Sequence, residues 1–217
     1  LTAFRSEHDG MGVFTLNPTV GNSYYVIAKS GDGISKRFDL PAVEEKGITL
    51  SMTHYKKEIR YEIQKTEATE WPQKLFLIAH TRGKLVILQP VSIDRTFGRM
   101  NDSLFNAGIT HFMLIDQQGN ALSERLVFVP DRNPHQWQIL ADKPTYGKRE
   151  KVSLQISAKD DNGTPVEGSF SVSITDRRSI QPDSLADNIL SNLLLTSDLK
   201  GYVENPGYYV LQQDLRT

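Results

Sequence analysis

Residues 108–129 carry the pattern that most restricts how this chain folds. Two runs of about eight residues flank a polar segment, Asp116–Asn120, that contains a glycine. Between Ile109 and Leu114 the side chains fall alternately into two sets, as they do on the two faces of a strand. Strand-like runs on either side of a short polar turn are typical of a β-hairpin. The stretch Gly108–Val129 therefore predicts a hairpin.

The same pattern recurs elsewhere in the chain. Val152–Asp176 contains two alternating runs around a turn at Asp161-Asn162-Gly163, and a shorter version lies around His8–Gly12. Turn signals recur about every 8–12 residues, a spacing that is typical of β-sandwiches. We expect an all-β fold built from repeated modules, with further strands at residues 3–6, 12–16, 24–29, 35–40, 48–52, 59–63, 75–80, 85–88 and 137–140.

The chain has 217 residues, enough for about two ordinary domains or for two sandwiches and a fragment. We predict a partial sandwich at 1–52, a second module at 53–132 and a third at 133–217, with the polar, proline-containing segment 131–135 as the linker. Residues 98–106 mix turn and apolar types and predict a crossing between sheets. Because the chain begins abruptly with residues typical of the inside of a strand, we expect it to be a fragment of a longer protein.

One segment of the third module has a helical period. Leu185, Ile189 and Leu193 recur at intervals of four residues, preceded by Pro182 and followed by Gly201. The pattern predicts a short helix at 183–199 near the C-terminus, with this stripe buried, so that Ile189→Ala would cost about 2–4 kcal/mol. Residues 202–210 are expected to return as an extended segment, restricted by their proline to an edge or a turn.

Composition narrows the classes of partner. Lys and Arg number 25 against 26 Asp and Glu, so no excess of charge favours nucleic acid or an anionic membrane. Cysteine is absent, which excludes disulfides, zinc–thiolate sites and cysteine nucleophiles, and mildly favours a bacterial origin for a β-sandwich protein. The longest apolar candidate for a membrane span, Leu75–Val91, is interrupted by charged residues, so no span is expected.

Six segments of the second and third modules carry a further signal. They are Leu126–Val129, Lys143–Val152, Asn162–Val166, Phe170–Asp176, Leu194–Pro206 and Tyr208–Tyr209. These segments resemble the macroglobulin-type domains of bacterial α2-macroglobulin-like proteins, especially large cell-envelope proteins of Bacteroidetes. The resemblance is strongest over residues 108–210.

The resemblance implies tandem immunoglobulin- or fibronectin-like β-sandwiches that act as a non-enzymatic scaffold, spacing or orienting other domains of the full-length protein. It implies a location in the bacterial cell envelope, in the periplasm or at the outer-membrane surface. The thioester of that family requires a Gly-Cys-Gly-Glu-Gln motif, and this chain has no cysteine. Covalent protease capture is therefore not a property of this chain. Further partners implied are another envelope protein or a glycan, and the strand at 151–158 is expected to pair with a neighbour.

No motif predicts catalysis, a cofactor or a metal. The five histidines are isolated in sequence, without His-x-His or His-x3-His spacing, and packing or surface roles are expected for them. Asp160-Asp161-Asn162-Gly163 has oxygen ligands suited to calcium but not the spacing of a calcium loop, which favours a turn. Ser169 lies outside a nucleophile-elbow frame. The histidines are His8, His54, His80, His111 and His135.

Two further sets of residues are candidates for binding sites. Glu67 and Glu70 beside Trp71 resemble a glycosidase pair but lack a second acidic cluster. The aromatic residues suggest a sugar-stacking platform, against the simpler interpretation that they fill cores and junctions. A carbohydrate- or peptide-binding module at the cell surface is thus the alternative function. The aromatic residues are Tyr24, Tyr25, Trp71, Trp137, Tyr202, Tyr208 and Tyr209.

Overall fold

The computed structural model describes residues 3–4, 12, 14–131, 136–160, 162–176, 178, 180–181 and 183–211. The chain divides into two compact units, residues 1–105 with 109–127, and residues 106–108 with 128–216. The hairpin expected around His8–Gly12, most of the linker 131–135 and the tail 212–217 lie outside the described residues. Residues 3–4, 12 and 14–16, where strands were expected, are described and form none.

The first unit is built from antiparallel β-sheets. They comprise a ribbon β1-β2, a three-stranded sheet in the order β3-β4-β7 and a four-stranded sheet in the order β6-β5-β8-β9. This confirms the expected all-β class. The strands are β1 (Tyr25–Lys29), β2 (Ser35–Asp39), β3 (Ile48–Tyr55), β4 (Glu58–Lys65), β5 (Leu75–Thr81), β6 (Lys84–Val91), β7 (Phe97–Asn101), β8 (Gly108–Asp116) and β9 (Ala121–Val129). The module boundary predicted between residues 52 and 53 falls inside β3, and the division into three modules remains a prediction.

One face of each larger sheet is buried, as expected for a sandwich-like arrangement. Along β5, odd-numbered side chains from Leu75 to Thr81 are buried and the even-numbered ones between them are half-buried. The backbone N–H of Leu50 in β3 donates to Ser123 Oγ in β9 at 3.0 Å, which joins the two sheets. Complete burial of a large apolar side chain contributes about 1.5–3 kcal/mol. Those with the least exposure are Leu50, Ile59, Ile63, Leu75, Leu77, Phe112 and Leu114.

The hairpin predicted at 108–129 is formed by β8 and β9. Asp116 Oδ1 accepts the backbone N–H groups of Gln118 and Asn120 at 2.9 and 2.8 Å. Gly119 follows with φ 86°, a left-handed conformation that glycine adopts without a steric penalty. The local sequence therefore determines both the position and the type of this turn.

The segment 98–106 crosses between sheets, as predicted, since it leads from β7 of the three-stranded sheet to β8 of the four-stranded sheet. Its first residues belong to β7, a strand that the apolar pattern did not predict. This strand pairs with β4, and Gly98 lies opposite Tyr61. A Cβ atom at position 98 would lie 2.5 Å from the Tyr61 ring, so the ring occupies the space of the missing side chain. Gly98 and Arg99 interrupt the apolar pattern of β7, so the sequence does not show it as a strand. Pairing with β4 provides its backbone hydrogen bonds.

The second unit contains β10 (Gln136–Ala141) and β11 (Leu154–Lys159), which pair as an antiparallel ribbon. The turn predicted around Asn162-Gly163 forms, with a bridge between Lys159 and Pro165. The second strand expected at 168–176 does not form, since no described residue there belongs to a strand. An alternating pattern specifies the two faces of a strand but not its partner, and here β11 pairs with β10 instead.

The helix predicted at 183–199 is shorter than expected, and it buries a different face. α1 (Ile189–Ser191) is followed directly by a π-helical turn (Asn192–Thr196). Asn188 and Ser191 form a reciprocal capping box, which fixes the start of the helix after position 188. Ser191 and Leu195 are consequently buried, whereas Ile189 is 72% exposed. The predicted burial of the stripe 185, 189 and 193 is therefore wrong.

The extended segment predicted at 202–210 is also corrected. Residues Gly207–Leu211 form a short helix, α2, directly after Pro206. Tyr208 N–H donates to Asn205 O at 2.9 Å, so Pro206 is the second residue of a turn, a position that suits the fixed φ of proline. Gly207 N–H donates to Leu185 O at 2.9 Å, and a Cβ on this glycine would collide with Ser184 O. The close approach requires glycine at this point.

Candidate functional site

The most distinctive surface of the second unit is an apolar face on the β10–β11 ribbon, which we call the Trp137 face. Cross-strand register pairs Trp137 with Ala158 and Ile139 with Ile156, so these side chains share one side of the ribbon. Phe170 packs against Trp137 with ring centroids 5.4 Å apart and an interplanar angle of 85°. The face comprises Trp137, Ile139, Leu154, Ile156 and Phe170.

The side chains of the Trp137 face are exposed. Trp137 is 57% and Ile139 64% accessible, and the other three members are also exposed. At about 200 Å² for a fully exposed large apolar side chain, the face leaves on the order of 500 Å² accessible. Apolar patches of this size on a monomer are often functional.

A hydrogen-bonded loop connects the two strands that carry this face. The Tyr146 hydroxyl donates to Asp142, which also accepts the N–H of Ser153 at 3.1 Å. This hydroxyl lowers the pKa of the Asp142 carboxyl, and the carboxylate in turn raises the pKa of Tyr146. Glu150 pairs with Lys143 in the same loop, and the pairing lowers the pKa of Glu150. The loop thereby holds the ends of β10 and β11 together.

Two histidines that are isolated in the sequence are neighbours in the structure. His80 of β5 lies directly opposite His111 of β8, and their rings stack at 4.8 Å with an interplanar angle of 14°. His111 Nδ1 lies 3.0 Å from Glu124 Oε1. Cross-strand pairing thus brings together two histidines that local spacing in the sequence cannot relate. Aligning the apolar patterns of the two strands in the sequence is the one step that could have predicted this contact.

The remaining histidines are placed differently. His54 Nε2 lies 3.1 Å from Oδ2 of the buried Asp102 and ties β3 to the 3₁₀ turn Asp102–Leu104 that follows β7. His8 and His135 lie outside the described residues.

The predicted calcium candidate is held as a turn. Asp160 Oδ1 accepts the N–H groups of Asn162 and Thr164 at 2.9 and 2.8 Å. One of its carboxylate oxygens is therefore engaged in shaping the loop, which agrees with the turn interpretation. Asp161 lies outside the described residues, and Ser169 is exposed.

The carboxylate pair considered for glycosidase chemistry lies in the first unit. Glu67 and Glu70 are exposed, and Trp71 is half-buried with Lys65 Nζ 6.0 Å from its ring centroid. A lysine over an aromatic face is a cation–π contact.

The aromatic residues considered for a sugar platform have separate surroundings. Arg37 stacks on Tyr25 at 4.0 Å, and Tyr24 accepts a hydrogen bond from the N–H of Thr19. In the second unit, Tyr208 and Tyr209 contact each other edge to face, and Tyr202 is 86% exposed. The perpendicular pairs offer ring edges as well as faces.

Within the described ranges, no set of three or more His, Asp or Glu side chains is arranged to hold a metal ion. None of the helices in that part of the chain has the length and apolar character needed to cross a membrane. No family model matches this chain, and no curated protein sequence matches it.

Proposed function

We propose that this chain is a non-enzymatic β-sandwich scaffold that spaces or orients other domains of a full-length protein. The observation that carries the proposal is the Trp137 face, a contiguous apolar surface on a two-stranded ribbon. Moving these apolar side chains out of water lowers the free energy. None of them carries a group that transfers protons or attacks a substrate. Such a surface suits docking of protein on protein.

The area involved supports a stable contact. Each partner in a standard protein interface contributes about 800 Å², and the roughly 500 Å² of the Trp137 face would form the apolar part of such a contact. A two-stranded ribbon is only marginally stable alone, so a neighbouring surface would stabilise β10 and β11 as well as bind them. We therefore assign the partner as another domain of the same full-length protein.

The finer type of the fold belongs to the same proposal. Antiparallel sheets with one buried face support immunoglobulin- or fibronectin-like sandwiches. Assignment to the macroglobulin type, and to the cell envelope of a bacterium such as a member of the Bacteroidetes, is supported by the sequence resemblance over residues 108–210. The Lys143–Val152 segment of that resemblance forms the loop that joins the strands of the Trp137 face.

The alternative is a carbohydrate- or peptide-binding module at the cell surface. Sugar rings stack on aromatic rings that share a plane, whereas Trp137 and Phe170 are perpendicular. The pair therefore gives more support to an apolar peptide than to a glycan. Extended peptides bind sheet edges through main-chain hydrogen bonds, with pockets for alternate side chains.

Radical footprinting tests the scaffold proposal at single residues. Hydroxyl-radical labelling of Trp137, Ile139 and Phe170 is compared between this chain alone and the full-length protein. We expect strong labelling in the chain alone and several-fold protection in the full-length protein. Phe97, which is exposed in the first unit, serves as the internal reference. Equal labelling of the Trp137 face in both samples would overturn the proposal, and binding of the chain alone to an immobilised glycan or peptide, lost in Trp137→Ala, would support the alternative.

A further inference from the structure

We propose that His80 and His111 form a binding site for a divalent transition-metal ion of the Zn²⁺, Ni²⁺ or Cu²⁺ class. The site lies on the half-buried face of the four-stranded sheet in the first unit. It is separate from the Trp137 face and independent of the scaffold proposal.

The pairing of the strands brings the two imidazoles together. His80 and His111 are direct cross-strand partners in the two central strands of the sheet. Their ring centroids are 4.8 Å apart. Two nitrogens that share one metal ion at about 2.0–2.1 Å each lie within roughly 4 Å of each other. Because χ2 of histidine is broad, the rings can rotate from the stack towards one ion while the backbone stays fixed.

Glu124 prepares His111 for this role. The Glu124 carboxylate is 3.0 Å from His111 Nδ1, and a carboxylate can only accept, so Nδ1 carries the proton in neutral His111. The lone pair is then on Nε2, the atom available to a metal. Metal-ligating histidines commonly donate their other N–H to a carboxylate in this way, which fixes the tautomer and raises the basicity of the ligand.

His80 supplies the second, independent observation. Its Nδ1 atom is buried and makes no hydrogen bond to any described residue. Buried polar nitrogens are normally satisfied, and an unsatisfied one costs about 1–3 kcal/mol. Coordination of an ion after rotation of the ring would remove this cost.

The chemistry of the donors selects the class of ion. Imidazole nitrogen suits Zn²⁺, Ni²⁺ and Cu²⁺, whereas Ca²⁺ and Mg²⁺ prefer oxygen ligands. Since no third His, Asp or Glu among the described residues completes the set, water fills the remaining positions. An ion held this way would clip β5 to β8 at the ends of their paired segments.

The test is a thermal-shift titration of the intact chain with ZnCl₂ and NiCl₂, and with CaCl₂ and MgCl₂ as control salts. We expect Zn²⁺ and Ni²⁺ to raise the Tm by several degrees, reversibly with EDTA, and the control salts to leave it unchanged. His80→Gln and His111→Gln should each abolish the rise. His54→Gln, a matched variant of the described histidine paired with Asp102, should retain it.

Glu124→Gln distinguishes a prepared site from chance capture. This variant keeps both histidines and should raise the metal concentration needed for half of the shift by about 10- to 100-fold. The ¹⁵N chemical shifts of the His111 ring give a direct readout if a histidine variant fails to fold, since Zn²⁺ should perturb Nε2 and leave Nδ1 protonated. No Tm change with Zn²⁺ or Ni²⁺, or a shift that survives in His111→Gln, would overturn the proposal.

Discussion

Asp116 and Asp160 hold two separate turns by the same set of hydrogen bonds. In each turn, Oδ1 of the aspartate accepts the N–H groups of the residues two and four positions further along, at 2.8 to 2.9 Å. The third position after the aspartate is glycine in both, with φ 86° at Gly119 and 79° at Gly163. The carboxylate stabilises the turn through its hydrogen bonds, and glycine adopts the left-handed conformation that the turn requires without a steric penalty.

Gly119→Ala is expected to destabilise the first unit by about 1–2 kcal/mol, because an L side chain is strained in the left-handed region. No atom lies within 4 Å of the position that the added methyl would take, so backbone strain alone accounts for the loss. The measurement is urea unfolding of both proteins. Gly47→Ala is the matched control: its added methyl also meets no atom within 4 Å, but its φ is not left-handed, so its stability should be unchanged or slightly higher. Equal losses in the two variants would contradict this account.

Acid should weaken the first unit partly through Asp116. Hydrogen bonds from Asn120, and from the backbone of the turn, lower the pKa of Asp116 below its ordinary value. A group with a lowered folded-state pKa stabilises the protein above its unfolded pKa of about 3.9, and this contribution is lost as the pH falls through the folded pKa. Asp116→Asn should therefore lose less unfolding free energy than the parent protein as the pH falls below about 5, as measured by urea unfolding at a series of pH values. Parallel pH profiles for the two proteins would contradict the role of this carboxylate.

Thr81 and Thr110 form a buried pair whose coupling is measurable. Their hydroxyl oxygens are 3.0 Å apart, and both residues are almost completely inaccessible. Thr110→Val leaves the Thr81 hydroxyl buried without its partner, which should cost about 1–3 kcal/mol.

The double variant Thr81→Val/Thr110→Val removes both hydroxyls, so it should be less destabilised than the sum of the two single variants. A double-mutant cycle by chemical denaturation gives the coupling energy. Strict additivity would show that the two hydroxyls do not depend on each other.

The burial of the helical segment is tested by a pair of alanine variants. Ile189 is mostly exposed, so Ile189→Ala should change the stability of the second unit by less than about 0.5 kcal/mol. Leu195 is 6% exposed, and Leu195→Ala should cost about 2–5 kcal/mol. Thermal unfolding followed by circular dichroism compares the two. A larger loss of stability in Ile189→Ala than in Leu195→Ala would show that the stripe expected from the sequence is buried after all.

Local patterns predicted the parts of the fold that local chemistry determines. The hairpin at 108–129 is one, since its alternation and its aspartate–glycine turn lie within one short stretch. The missed strand β7 and the unformed strand at 168–176 show the limit. A strand needs a partner as well as a pattern, and partners such as β4 for β7 are distant in sequence.

The predictions for the helical segments were wrong for a related reason. The period of Leu185, Ile189 and Leu193 is helical, but the cap at Asn188 sets where the helix starts and so which face is buried. The Trp137–Phe170 contact and the His80–His111 stack likewise depend on chain pairing. Composition identified the residue types of both candidate sites without showing which of them meet.

The approach of the Tyr61 ring to Gly98 makes two positions of the sequence interdependent. Any side chain at position 98 must displace the ring at 61, so we expect replacement of the glycine to cost less when a smaller residue lies opposite. We therefore expect positions 61 and 98 to change together among distant homologues. Such paired substitution would mark divergent relatives of the three-stranded sheet whose overall identity is low.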